Sequence, residues 1–278
     1  MKKFFTLAAI AFAAFAMASC EKTPDTGKDG EGEGEGTAKR KVLLALPSEI
    51  NDNNELVSGR TFRYNEDGSL AGIDEVWTNE DGSRGTWNLN VTRNGNKLTL
   101  TTDEGDVEYE WEVNEQGYVV KNGDYSYEYD AEGHLTKVIE DWGEGPQVVS
   151  ICTWENGNMT SWSKEGEIPA DPTNPDGEKT ARVKRQTYKT DLNIGGIFTC
   201  FTEKSSLKKW MFEAGFFGKP SKNLVATDKW DHNSDGTVNE TGATFEYRFD
   251  ADDYVISEMK YYGGELDDET YYFWKDSE

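Results

Sequence analysis

Tyr125-Ser126-Tyr127-Glu128-Tyr129-Asp130-Ala131-Glu132-Gly133-His134-Leu135 reads as strand, turn and strand. Tyrosines alternate with polar residues at a period of two. An Asp and a Gly follow, and then the alternation resumes. Such a turn needs a residue at positive φ, and Gly supplies it without steric penalty. Outward from this stretch the same pattern recurs. Thr61-Phe62-Arg63-Tyr64-Asn65-Glu66-Asp67-Gly68-Ser69-Leu70 lies before it, and Phe245-Glu246-Tyr247-Arg248-Phe249-Asp250-Ala251-Asp252-Asp253-Tyr254-Val255 after it. Weaker copies centre on Asp81-Gly82, Asn94-Gly95, Gln116-Gly117 and Asn156-Gly157. The spacing of about ten to twelve residues per strand predicts an antiparallel meander. Alternation also assigns faces. Val107, Tyr109, Trp111 and Val113 fall on one side, and Asp106, Glu108, Glu110 and Glu112 on the other. One face is packed and one is wet. A long meander of this kind curls to protect its edges.

Composition agrees. Hydrophobic residues make up only 35% of the 278, while aromatic residues reach 13%. A domain poor in aliphatics takes its buried area from rings, at about 150–250 Å² each. The formal net charge is −24, which disfavours nucleic acid and anionic lipid as partners.

The N-terminus predicts an address. Lys2 and Lys3 precede an uncharged run from Phe4 to Met17, and Met17-Ala18-Ser19-Cys20 closes it. A basic start, a short apolar run and small residues make a secretory signal over 1–20. Ending on Cys20, it resembles a bacterial lipoprotein signal, with Ser before the cysteine as in the looser boxes of Bacteroidota. Cys20 is the expected lipidation site. Residues 21–41, with Gly-Glu repeats from Glu31 to Gly36, cannot bury enough to order themselves and read as an acidic tether. Residues 42–278 read as one β domain. The address expected is the outer membrane, lipid-anchored, with the membrane as a partner through the lipid.

Two stretches break the rhythm. Gly166 to Thr180, with Pro169, Pro172 and Pro175, predicts a long surface loop. Leu192 to Lys229 predicts an irregular insertion with a short helix over Leu207–Ala214, capped by Ser206 and ended by Gly215. Leu207, Trp210, Met211 and Ala214 share a face, which suits a helix covering an open end of the sheet.

The Tyr-x-Tyr-Asp-x-x-Gly-x-Leu copies resemble YD-type repeats. With the lipobox and Gly218-Lys219-Pro220, the chain over about 42–278 is similar to a Bacteroidota lipoprotein domain described as porin-like. That resemblance implies a partly open, half-open antiparallel barrel. The family has no established activity, so no functional residue is implied.

Chemistry is sparse. Asp231, Asn233, Asp235 and Gly236 match the opening of a calcium loop, but position twelve is Gly242 where a Glu is needed, so no metal site is expected. His134 and His232 have no nucleophile motif beside them. No enzyme and no cofactor are expected. Trp142, Trp154 and Trp162 lie close in sequence and are the candidate sugar-stacking rings. Core packing is the competing reading. Function is expected to be non-enzymatic surface binding, of a glycan or of an envelope protein. A structural role in an envelope assembly stays open, as does the pairing of Cys152 with Cys200.

Overall fold

The computed structural model describes residues 41–53, 56–79, 81–199 and 207–277. The predicted leader with Cys20 and the predicted tether up to residue 40, together with Cys200 and Ser206, lie outside the described residues. The strands begin with β1 (Lys41–Ile50), β2 (Leu56–Tyr64), β3 (Leu70–Thr78), β4 (Arg84–Asn94), β5 (Lys97–Thr101) and β6 (Val107–Val113). They continue through β7 (Val119–Asn122), β8 (Tyr125–Tyr129), β9 (Leu135–Glu140), β10 (Gln147–Glu155), β11 (Asn158–Pro169) and β12 (Lys179–Leu192). After the helix α1 (Lys209–Glu213) come β13 (Asn223–Trp230), β14 (Ala243–Phe249), β15 (Val255–Tyr262), β16 (Glu265–Tyr271) and β17 (Phe273–Asp276).

Every described pairing is antiparallel, and from β1 to β16 consecutive strands are neighbours. Only Tyr272 separates β16 from β17. The former pairs with β15 and the latter with β1, which also pairs with β2. The meander thus returns to its start. Where the sequence predicts a half-open barrel, the structure has a nearly closed one, because β1 offers both of its edges.

The three clearest hairpin copies turn as predicted. Gly68, Gly133 and Asp253 occupy the same place, with φ of 78°, 94° and 63°. Asp130 Oδ1 accepts the amides of Glu132 and His134, and Asp250 Oδ1 those of Asp252 and Tyr254. The faces also fall as the alternation requires. Trp111 and Val113 are buried while Glu108, Glu110 and Glu112 are exposed. Val107, at the rim, is exposed as well.

A barrel of this strand number has a lumen too wide for its own wall side chains to fill. Here the described residues 193–199 and 207–222, between β12 and β13, fill it. Leu207, Trp210, Met211, Phe212, Phe216 and Phe217 form one buried cluster with Leu43, Phe62, Ile73, Leu100, Trp111, Tyr127, Val149 and Val255. Those wall residues come from strands on all sides of the barrel. Phe217 meets Trp111 and Tyr127 edge-on, at ring-centroid separations of 6.0 and 4.9 Å. The backbone is tied in as well: Val119 N–H donates to Phe216 O, and Lys219 N–H to Gly133 O. Gly218 permits this approach, since at φ 91° a Cβ there would sit 2.6 Å from Gly133 O. The predicted helix is therefore shorter than expected and lies inside the barrel. Its residues Trp210, Met211 and Phe212 join a cluster with wall residues from β1 to β15, which an end cap would not provide. Gly215 ends the helix as predicted, at φ 80°.

Two boundaries move. β11 continues through Gly166 to Pro169, which pairs with Lys179, so the proline loop shrinks to 170–178. A register shift between Lys164 and Ile168 absorbs Gly166 at φ 64°. β13 regains regular pairing at Asn223, so the insertion ends earlier than predicted.

Candidate binding site

Of the three sequence-adjacent tryptophans, Trp154 and Trp162 pack into one cluster with Cys152 and Met159, and Trp142 lies apart. Trp142 sits on the β9–β10 turn, 69% exposed, with its ring edge toward Tyr125. Trp154 stacks on His134 at 4.2 Å and donates from Nε1 to Leu135 O. Trp162 is 2% exposed. They offer no shared concave surface for a sugar.

The calcium-like residues are engaged elsewhere. Asp231 pairs with Arg185 at 3.1 Å. Asn233 Nδ2 donates to the Thr237 hydroxyl. Asp235 accepts the hydroxyl and the amide of Thr237, which hold its carboxyl below the usual range. Among the described residues no three His, Cys, Asp or Glu side chains are placed to hold a metal ion. His134 Nδ1 lies 2.9 Å from Asp130 Oδ2 in the same turn that carries its backbone hydrogen bond. Cys152 is a buried free thiol, its pKa pushed up to about 12 by burial.

Trp162 leads to a different constellation. Cross-strand partners share a face. Cys152 pairs with Trp162, Trp162 with Lys184, and Lys184 with Trp230. Cys152 lines a small cavity against Ile197 and Phe217 of the insertion, so this face is the lumen. Lys164, two residues on from Trp162, pairs with Arg182 on the same face. The rings of Trp162 and Trp230 lie 5.2 Å apart. Lys164 Nζ stands 5.3 and 5.4 Å from their centroids, and Lys184 Nζ 5.7 and 5.1 Å. The Arg182 guanidinium covers Trp230 at 4.3 Å. Two carboxylates answer three cations. Lys184 pairs with Asp228 at 2.9 Å and Lys164 with Glu167 at 3.3 Å.

Strand direction places this nest toward the end of the lumen opposite the one where the insertion leaves β12 and rejoins β13. The inward-facing pair Arg60–Glu75 lies toward the same end of β2 and β3, at 2.7 Å, with Arg60 over the Trp210 ring. Inward charge is thus grouped toward this end, where the insertion's Trp210 reaches Arg60.

A second charged group lies where α1 meets the wall. Lys209 Nζ donates to Tyr272 OH at 3.0 Å and stands 3.7 Å from Glu258. Glu213, one helical turn on, accepts the Phe198 amide at 3.0 Å. Burial raises the Glu213 pKa to about 7, with Glu258 adding to the rise and Lys209 opposing it. Tyr64 is pushed up to about 12 by burial and by Glu213.

Reasoning from sequence missed Lys164, Arg182, Lys184 and Trp230. A signal was present: Lys179 to Lys189 holds five basic and no acidic side chains in a chain of net −24.

Comparison with known proteins places the fold. A porin-like protein from Bacteroides uniformis aligns over 86% of this chain and 98% of its own, at 17% identity and a TM-score of 0.57. Another, from Bacteroides vulgatus, aligns over 84% and 99%, at 9% identity and a TM-score of 0.50. At such identities the likeness is one of fold. No functionally curated protein matches the chain. Residues 62–257, spanning most of the barrel wall and the whole insertion, match one family, and the chain belongs to it: a domain of unknown function (DUF4595) with porin-like fold.

Proposed function

We propose that this chain is an exported, lipid-anchored and non-conducting barrel that binds a ligand and transforms none. The carrying observation is that the barrel is inside out relative to a membrane channel. A channel barrel has an apolar belt about 25 Å tall outside and a polar lumen. Here Glu108, Glu110 and Glu112 face outward on one strand, the ion pairs Lys97–Glu110 and Arg63–Asp74 are carried on the outer wall, and the inside holds an apolar plug. Exposed apolar side chains such as Val148, Leu192 and Leu266 are scattered on separate strands and form no belt. An outward Lys or Arg costs up to about 2–4 kcal/mol at a bilayer midplane, and carboxylates less. The wall carries many of both, which supports a body held at the membrane by its lipid at Cys20. Binding is favoured over a passive role by the lumenal group of cations and tryptophans, which stands out against the acidic remainder.

The test uses the full chain expressed with its leader. Replacing Cys20 by Ala is expected to move the protein from the membrane fraction into a detergent-free soluble fraction. The wild-type protein is expected to open no channels in a planar bilayer. Membrane retention of the Cys20→Ala chain, or discrete conductance steps, would overturn this reading.

A further inference from the structure

We propose that the nest of Lys164, Arg182 and Lys184 around Trp162 and Trp230 binds one carboxylate group of an organic ligand. This rests on the reading of the barrel as a binding protein and names the chemistry it takes.

The argument begins with register. Lys164 stands directly across from Arg182, and Lys184 is two residues along the same strand face. Like charges placed opposite one another repel, and a cation taken out of water needs a partner. These side chains are only 15%, 18% and 14% exposed. Lys184 has Asp228 to itself, whereas Lys164 and Arg182 share Glu167. Lys164 takes Oε1 at 3.3 Å, and the Arg182 guanidinium stands 3.9 Å from Oε2, too far for a hydrogen bond. Its Nε donates to His232 O at 2.7 Å, which locks the guanidinium in place. Among the described residues its remaining N–H groups find no acceptor within hydrogen-bond distance.

A second observation comes from the ring itself. Trp162 Nε1–H is buried with no acceptor among the described residues. The nest thus holds a guanidinium that only shares a carboxylate at 3.9 Å, a surplus of one positive charge and an unaccepted indole N–H. A carboxylate answers all three, having one negative charge and two acceptor oxygens in a plane that suits a guanidinium fork. A phosphate dianion would overshoot the charge.

The frame is rigid. The loop after β13 is tied to Arg182 through His232 O and closes on the β11–β12 loop, where Gly236 leaves 3.1 Å between an added Cβ and Pro169 O. Arg185, the next residue but one to Val183, faces outward and pairs with Asp231, so it serves as the control.

Tryptophan fluorescence of the full chain in detergent micelles is titrated with glucuronate, hexanoate, glucose and inorganic phosphate. Saturable change is expected with glucuronate and none with glucose. Response to hexanoate as well identifies any small carboxylate as the ligand class, and response to glucuronate alone identifies a carboxylated sugar; both support the proposal. Arg182→Gln is expected to weaken binding at least tenfold, and Arg185→Gln to leave it unchanged. Should Arg182→Gln fail to fold, Lys184→Gln is expected to show the same weakening. No saturable response to either carboxylate overturns the proposal. So does tighter binding of phosphate, or equal affinity in the Arg182→Gln or Lys184→Gln protein. None of these results bears on conductance or on anchoring, so the two readings fail separately.

Discussion

The wall of this barrel and the segment that fills it are built on opposite principles. The wall is a chain of hairpins, most of them specified locally by alternation and by a turn residue at positive φ. The insertion, in its described residues 193–199 and 207–222, has little regular structure beyond five residues of α1, and its place is set by burial and by a few hydrogen bonds to the wall. The wall supplies an apolar inner face that cannot meet itself across the lumen. The insertion supplies the rings that meet it. Each is incomplete without the other, so damage to the insertion should be felt by the whole barrel.

The largest effect is expected from Phe217→Ala. Phe217 is 1% exposed and touches rings from two wall strands. Truncation leaves a cavity and should cost about 3–5 kcal/mol in urea unfolding. Trp142→Ala, on an exposed wall turn, should cost within about 0.5 kcal/mol. Equal costs would mean that the insertion is peripheral.

A smaller effect concerns pH. Glu213 is half-buried among Lys209, Glu258, Tyr64, Tyr272 and the Phe198 amide, and its pKa is raised to about 7 from 4.5. A raised folded pKa means that the protonated group fits the fold. Its contribution is complete below pH 4.5 and is lost as pH rises through 7. The loss amounts to about 3 kcal/mol on the scale of 1.36 kcal/mol per pKa unit. Glu213→Gln should remove it, so that the variant gains on wild type between pH 5 and 8 in chemical denaturation. An unchanged pH profile would place Glu213 in water.

The smallest effects compare two backbone positions. Gly218 needs both positive φ and the absence of a Cβ, so Gly218→Ala should cost about 1–3 kcal/mol. Asp253 takes positive φ on a wall turn where the sister turns have Gly. Asp253→Gly should therefore raise stability by less than about 1 kcal/mol. Thermal melts of the pair would show whether the insertion's junction is the more demanding of the two.

The same contrast explains what could be read beforehand. Hairpins such as Tyr125–Leu135 were legible because turn and alternation lie within a dozen residues. The plug was not, because Trp210, Phe212 and Phe217 follow no strand period and their partners lie on strands throughout the barrel. Nearness in sequence misled for Trp142, Trp154 and Trp162, since Trp154 and Trp162 pack into one buried cluster with Cys152 and Met159 while Trp142 stands apart on an exposed turn. The binding nest was hidden for a related reason. Lys164, Arg182 and Trp230 come from three strands, and Arg185 beside Lys184 masks the inward face with outward charge.

Native-state hydrogen exchange tests the central claim, that the insertion is the core of the barrel. The amides of Met211, Ala214 and Phe216 in the insertion, and of Val119 on the wall, are all hydrogen-bonded, and Val119 donates directly to Phe216 O. They are expected to exchange together, only through global unfolding, and far more slowly than Thr173 in the proline loop. Exchange of the insertion amides at loop-like rates, with the wall still protected, would contradict the account.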